Sequence, residues 1–388
     1  MPEERAGDGS PEDAWLDCVL AASIVSDKDR DRARTYIEGL CGDRGRKTVR
    51  SIAGSSQPKG RVQLQRFLTG DACDDALLWE KLAREAAGLL GGDRACLVVD
   101  DVVLLKKGTT SVGVARRADA ATGRRCNFQE LIALSLAREG RIVPVAMRLV
   151  LPHTWTDDPA KRLAARIPEA STDADDPAAY GGDQIVLREV GRLRHLVSFG
   201  VVVAPAYCGT DRFREQLATW GIRWVLPIAQ HDEFHPRIRK SSDRSGSRVE
   251  AKFEAVPKTA FDILQRKTGQ HTIQCLWCAK YEPVSAKIDD VSGKRRRETN
   301  GNVIVNDRVW IWNQIGFGDK SDWWMSNLPP KTDPVRLVDA IRNQWLCRDE
   351  IERVKGKLGL AAYQGRSWVG LHRHALMVCL AALRTFSR

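Results

Sequence analysis

Cys96-Leu97-Val98-Val99-Asp100-Asp101 is the stretch whose reading decides the fold. Four successive apolar residues without polar alternation suit a short strand buried on both faces. Two carboxylates follow at once, where such a strand leaves the core. An aspartate at a strand end is by itself ordinary turn chemistry, so its meaning depends on what surrounds it. Downstream, Val112 to Ala115, Leu131 to Ala137 and Ile142 to Leu151 read as further strands, broken at Gly113, Gly123 and Gly140. Asp183 to Phe199 has the spacing of a basic amphipathic helix. It leads into a second buried strand, Gly200-Val201-Val202-Val203-Ala204, and Ile222 to Ile228 forms one more. Strands that feed helices predict an α/β core with some parallel pairing.

Helical spacing flanks this core on both sides. Asp27 to Leu40 carries Ala33, Ile37 and Leu40 on one face and has Gly42 just past its end, as a helix C-terminus requires. Lys47 to Ala53, Leu64 to Leu68 and Asp75 to Leu90 are further helical candidates. This segment holds Arg44, Arg46, Lys47, Arg50, Lys59, Arg61 and Arg66, which suit either a solvated basic face or a DNA-contacting one. Near the other end, Val335 to Lys357 and Trp368 to Phe386 read as two long helices. Between the core and these helices the composition shifts. Residues 236–300 hold 15 Lys or Arg against 8 Asp or Glu, with the run Lys294-Arg295-Arg296-Arg297 between Gly293 and Gly301. Trp277, Trp310, Trp312, Trp323 and Trp324 lie around that run. Basic loops with interleaved aromatics suit strand-backbone contact and base stacking, and the same tryptophans suit the filling of a thin β-rich layer.

At 388 residues the chain is long enough for two or three structural units. With 43% hydrophobic and 29% charged residues it can bury a core and dissolve, which excludes wholesale disorder. No apolar run approaches the roughly 18 residues that span a bilayer, and Met1 to Trp15 lacks the basic and apolar regions of a signal peptide. A cytoplasmic protein without a membrane partner is expected. The 10 cysteines are scattered. Cys275 and Cys278, with His271 nearby, lack a second ligand pair at zinc spacing, so buried reduced thiols are expected. Lys and Arg total 61 against 50 Asp and Glu, a net charge of +11, which favours polyanionic partners.

Val98-Val99-Asp100-Asp101, with Lys106-Lys107-Gly108 and Ser111-Val112-Gly113-Val114-Ala115-Arg116 after it, resembles the DDE transposases of bacterial insertion sequences. The likeness continues through Gly123, Asn127, Gln129, Arg148-Leu149-Val150-Leu151-Pro152, Trp155, Asp158, Arg162, Pro168 and Glu169, and on to Phe213-Arg214. It includes Trp345, Lys355, Gly359-Leu360, Tyr363, Gly365-Arg366-Ser367-Trp368 and His372-Arg373-His374. Near the start, Tyr36, Gly39-Leu40, Arg46-Lys47, Ile52-Ala53 and Gln65-Arg66-Phe67-Leu68 fit as well. The resemblance implies an RNase H-like mixed-sheet core of the α/β class. Residues 1–92 form a helical N-terminal DNA-binding domain on this reading, and 93–229 the first part of the core. Residues 230–333 form a basic, Trp-rich β insertion, and 334–388 the helices that complete the core. It also implies DNA cleavage and joining by two divalent cations, which activate the attacking oxygen and stabilise the leaving one. Mg²⁺ or Mn²⁺ needs carboxylate oxygens for this. Two strand ends and a facing helix supply one acid each.

Set against that pattern, only one of three acids is in place. Asp101 matches the first, with Asp100 as its neighbour. The second should follow Val201-Val202-Val203-Ala204, where this sequence has Pro205-Ala206-Tyr207-Cys208-Gly209; proline carries no metal-binding side chain and fixes the local backbone. The third should lie seven residues before Lys355, and that residue is Arg348. The family's accompanying arginine and tyrosine are Gln344 and Ile341 here. Asp211 is a conceivable substitute for the second acid. Among Asp349, Glu350 and Glu352, Glu352 faces closest to the required direction on a helix of 3.6 residues per turn. A guanidinium about 4 Å from Mg²⁺ is repelled by several kcal/mol at an effective dielectric of roughly 20.

Three functions are therefore weighed. The leading one is a domesticated, transposase-derived, nuclease-deficient protein that retains DNA or polyanion binding through Lys106, Lys107, Lys355, Arg366, His372 and Arg373, needs no cofactor and is able to form a homodimer. The alternative reading of Arg366, Trp368, His372 and His374 is packing of the last helices. A second function is an enzyme acting on a small-molecule substrate in the former cleft, lined by Asp101, Tyr207, Cys208 and Arg348, with Cys208 either a nucleophile or a plain loop thiol. A third is a transposase still active with Mg²⁺ or Mn²⁺ on Asp101, Asp211 and Glu352.

Overall fold

The computed structural model describes residues 11–386 apart from 44, 55–57, 119–121, 170–180, 229–232, 237–257, 260–272, 281–306, 315–321 and 330. Five helices come first: α1 (Pro11–Ala21), α2 (Asp27–Cys41), α3 (Val49–Ile52), α4 (Pro58–Thr69) and α5 (Asp75–Leu90). Four strands follow: β1 (Gly92–Lys106), β2 (Ala115–Ala118), β3 (Arg125–Arg138) and β4 (Arg141–Leu149). Then come α6 (His153–Thr156), α7 (Pro159–Ala165), α8 (Gly182–Leu193), β5 (Phe199–Val203) and α9 (Asp211–Thr219). A strand-rich segment carries β6 (Trp224–Pro227), β7 (Glu233–Pro236), β8 (Lys258–Thr259), β9 (Ile273–Lys280), β10 (Asp307–Gln314) and β11 (Asp322–Ser326). Helices α10 (Pro334–Gly356) and α11 (Trp368–Phe386) complete the order. The basic run 294–297 lies outside the described residues.

The chain divides into two compact units, one of Met1–Val202 with Ile341–Arg388 and one of Val203–Ala340. In the first unit β3 is the central strand. It carries β1 along one edge from Asn127 to Ala137, and β2 then β4 along the other; β5 lies beside β1. The strand pairing is mixed, parallel and antiparallel, as expected of an RNase H-like α/β core. A register shift between Leu134 and Ser135 places Pro144 of β4 opposite Ser135. Proline has no N–H to give to a ladder, and a bulge is where a strand tolerates it.

Burial along β1 explains its position. From Ala95 to Asp100 every residue is buried; from Asp101 onward Val102 and Leu104 are buried while Val103 and Leu105 are exposed. The strand is two-sided core in its first half and one-sided in its second, and the aspartate pair marks the change. The expected strand at 112–115 begins instead at Ala115, because Gly113 turns the chain at φ +73°.

Helix α11 closes the core of this unit. It packs on β4 and on α2, α4 and α5, and every residue from Gly370 to Arg384 is buried. Three polar side chains on it are satisfied by specific partners. Arg373 donates to the Asp75 carboxylate at 2.7 Å, to the Phe67 carbonyl at 2.6 Å and to the carbonyls of Gly70 and Cys73. His374 faces the Leu360 carbonyl at 3.3 Å with Nε2 and the Tyr36 hydroxyl at 2.9 Å with Nδ1. A carbonyl only accepts, so Nε2 carries the proton and Nδ1 accepts from Tyr36. In His372 the roles reverse: Nδ1 donates to the Trp368 carbonyl at 3.0 Å and Nε2 accepts from the Leu149 N–H at 3.3 Å. Both imidazoles are held neutral, and burial pushes each pKa down to about 4. Among the described residues no helix is long and apolar enough to cross a membrane.

The strands of the second unit are hydrogen-bonded in the order β6-β11-β10-β9-β7-β8. Trp310 of β10 lies opposite Trp277 of β9, and Trp312 opposite Trp324 of β11. Trp224, Trp323 and Trp324 are buried, so these three fill the layer rather than offer a stacking surface.

Candidate functional site

Strand alternation sorts the two aspartates, and it separates them by face. Successive side chains of a strand point to opposite sides, so Cys96, Val98 and Asp100 share one face of β1. That face meets α10. Asn343 donates to the Cys96 sulfur at 3.5 Å, and the Cys347 thiol lies beside Ser135, the residue opposite Val98 on β3. Asp100 therefore points toward α10, while Asp101 is exposed on the other face. Asp101, the residue matched to the first acid in the sequence, is thus the exposed member of the pair. The signal was weak because residues 95–99 are apolar on both faces, which hides the phase of the alternation.

Asp100 is 8% exposed. Its Oδ1 accepts from the Asp101 N–H at 3.1 Å, and its Oδ2 is buried without a hydrogen-bond partner. Burial raises the Asp100 pKa above the usual carboxylate range, the nearby Arg348 guanidinium lowers it, and Glu352 adds a smaller upward push. Arg348 is thus the cation that Asp100 senses from α10. Glu352 is exposed, with its carboxylate 2.7 Å from the Lys355 ammonium, and Glu350 holds Arg353 at 2.7 Å. In the second unit Pro205 leads into a 3₁₀ turn, Ala206–Cys208. Cys208 is fully buried and Tyr207 exposed, so the thiol is not presented as a nucleophile. Asp211 opens α9 and pairs with Arg214 one turn on, whose guanidinium also donates to the Gly209 carbonyl at 2.6 Å.

These residues do not fit a pair of divalent cations. Such a pair needs about three carboxylates with free oxygens, and here α10 offers a guanidinium to the one buried acid. Among the described residues no three His, Cys, Asp or Glu side chains are grouped to hold a metal ion. Glu352 and Asp211 are each committed to a cation of their own helix.

The expected DNA contacts separate into two groups. Arg373 and His372 are buried and bonded within the core of the first unit, which corrects their assignment as surface cations: they pack helices. Lys106 is half-buried and donates to the Tyr363 carbonyl at 2.9 Å, and burial brings its pKa down to about 8. Lys355 is held by Glu352. Lys107 and Arg366 are exposed.

The sequence profile of a family described as DDE superfamily endonuclease matches residues 20–281. That is about two-thirds of the chain, and it spans the N-terminal helices, β1 to β5 and part of the strand-rich segment. The chain belongs to the DDE superfamily endonucleases. Arg348 and the motifs from Trp345 to His374 lie beyond the matched residues of this DDE protein. No curated protein matches it.

Proposed function

We propose that this DDE-family chain is a transposase-derived protein that has lost two-metal DNA cleavage and keeps DNA as its partner. The observation that carries the reading is Arg348. It stands on the α10 face toward Asp100, where the mechanism requires a carboxylate, and it occupies the electrostatic place of a cation. Pro205 removes a second ligand. Mg²⁺ or Mn²⁺ then has no catalytic part, and phosphate attraction remains because it needs only positive charge. Lys107 and Arg366 are exposed and make no ion pair among the described residues, and the whole chain carries +11. Reuse of the cleft by a small-molecule enzyme finds no support in the buried Cys208.

The test is strand cleavage of supercoiled DNA with Mn²⁺. The natural chain leaves the DNA intact, and so do Pro205→Asp and Arg348→Glu singly. The double variant nicks it in a metal-dependent manner. Metal-dependent nicking by the natural chain would sink the reading.

A further inference from the structure

The first unit holds a cavity of about 1190 Å³ far from either aspartate along the chain. It opens between α3, α4 and the segment 362–365. Arg46, Arg50 and Arg61 line it, and no Asp or Glu does. All three guanidinium groups are exposed, and none makes an ion pair among the described residues. Each guanidinium carries five donors in a fixed fork that matches phosphate oxygens two at a time. Gln65 adds an amide able to donate and accept.

The walls are fixed before any ligand arrives. Tyr36 is held by His374, and Tyr363 stacks on the same imidazole at 4.9 Å with the rings 15° apart. Lys47 is buried, with its ammonium on the carbonyls of Gly39 and Gly42, so it locks the wall rather than facing a ligand. Gly359 turns at φ +79° directly against Lys47, where a Cβ would come within 2.2 Å of the lysine's own. A site held open in this way loses little ordering entropy on binding.

Size narrows the occupant. The volume lies just above the roughly 300–1,000 Å³ of a small-molecule site, which suits one nucleotide rather than a length of duplex. We propose that the cavity is a nucleotide pocket, with phosphate and base held by the exposed guanidinium groups of Arg46, Arg50 and Arg61. A free nucleotide and an unpaired nucleotide of a DNA strand present the same chemistry. The pocket is distinct from the former nuclease position: its Tyr363 wall is tied to Lys106, five residues and about 17 Å along β1 from Asp101. It does not depend on the loss of cleavage.

The test is fluorescence anisotropy on the full chain with two probes, methylanthraniloyl-ATP and a short fluorescein-labelled oligothymidylate. Arg50→Glu/Arg61→Glu is compared with Arg124→Glu/Arg125→Glu, which makes the same charge change on exposed residues outside the cavity. The pocket variant weakens a bound probe by at least about tenfold, since charged hydrogen bonds of this type contribute more than 1.4 kcal/mol together, and the control does so far less. Binding of ATP alone identifies a free nucleotide, of the oligonucleotide alone an unpaired strand; either supports the pocket. Arg46→Gln, a milder change, must weaken the same probe, and thermal melts confirm that each variant is folded. Failure of both probes to bind at low salt, equal weakening by the two double variants, or no effect of Arg46→Gln overturns the proposal. Duplex binding is scored separately, so its failure counts against DNA retention and leaves the pocket standing.

Discussion

Asp100 is the buried acid at the point where β1 turns from two-sided to one-sided core. A buried carboxyl with one orphaned oxygen keeps its proton to higher pH in the folded chain than in the unfolded one. Between those two pKa values the native state binds more protons, so stability falls as pH rises through the window above the ordinary carboxylate range. Asp100→Asn keeps the acceptor for the Asp101 N–H and removes the charge. Urea unfolding at a series of pH values should show the variant gaining on the natural chain as pH rises through that window, with no gain below it. A constant difference at every pH would mean that Arg348 fully compensates the ionised form. Sequence reading singled out the strand end and Arg348, which lies near Asp100. It did not identify which aspartate faces inward, because that depends on a pleat that an all-apolar run conceals.

Helix α11 shows what an element adds to its residues. Its two neutral imidazoles titrate near pH 4, whereas unfolded histidines titrate near 6.5. The unfolded state therefore takes up protons first, and stability is lost as pH falls from about 6.5 to about 4, by roughly 3 kcal/mol for each histidine. The pH dependence of unfolding near pH 5 should correspond to about two protons taken up, and to about one in His374→Gln; a flat profile would contradict the burial. Arg373 is the second dependence. Arg373→Ala strands Asp75 and frees three carbonyls, and it should cost about 3–5 kcal/mol in denaturant unfolding. Arg373→Lys should recover only part of that, since one ammonium cannot replace the fork. The extents of α2 and α11 were readable from their spacing, expected at 27–40 and 368–386 and found at Asp27–Cys41 and Trp368–Phe386. The burial of α11 was not, because His372, Arg373 and His374 look like a basic surface until their partners, about 300 residues away for two of them, are known.

At the scale of the molecule the proposed DNA binding rests on positive charge. Binding that rests on phosphate contacts weakens linearly in log affinity against log salt, by about 0.9 per phosphate neutralised on duplex DNA. Lys107→Glu/Arg366→Glu should lower the slope of a duplex gel-shift titration by about two. An unchanged slope would remove these two residues from the interface. Net charge was plain from composition, whereas its division was not. Several basic residues singled out in the sequence proved to be internal ties, and three arginines between residues 46 and 61 proved to share a cavity with a loop near residue 363.

The core of the first unit joins α2, α4 and α5 to a helix made 278 residues after α5 ends. At ribosomal speeds of about 5–20 residues per second, that delay is on the order of tens of seconds. Throughout it, the parts of the earlier helices that α11 covers wait without that partner, although those helices already pack on one another and α5 on β3 and β4; a nascent chain cut short before Trp368 never covers them. Such a protein matures late and all at once, and a chaperone holding those faces during synthesis would stand in for the missing helix.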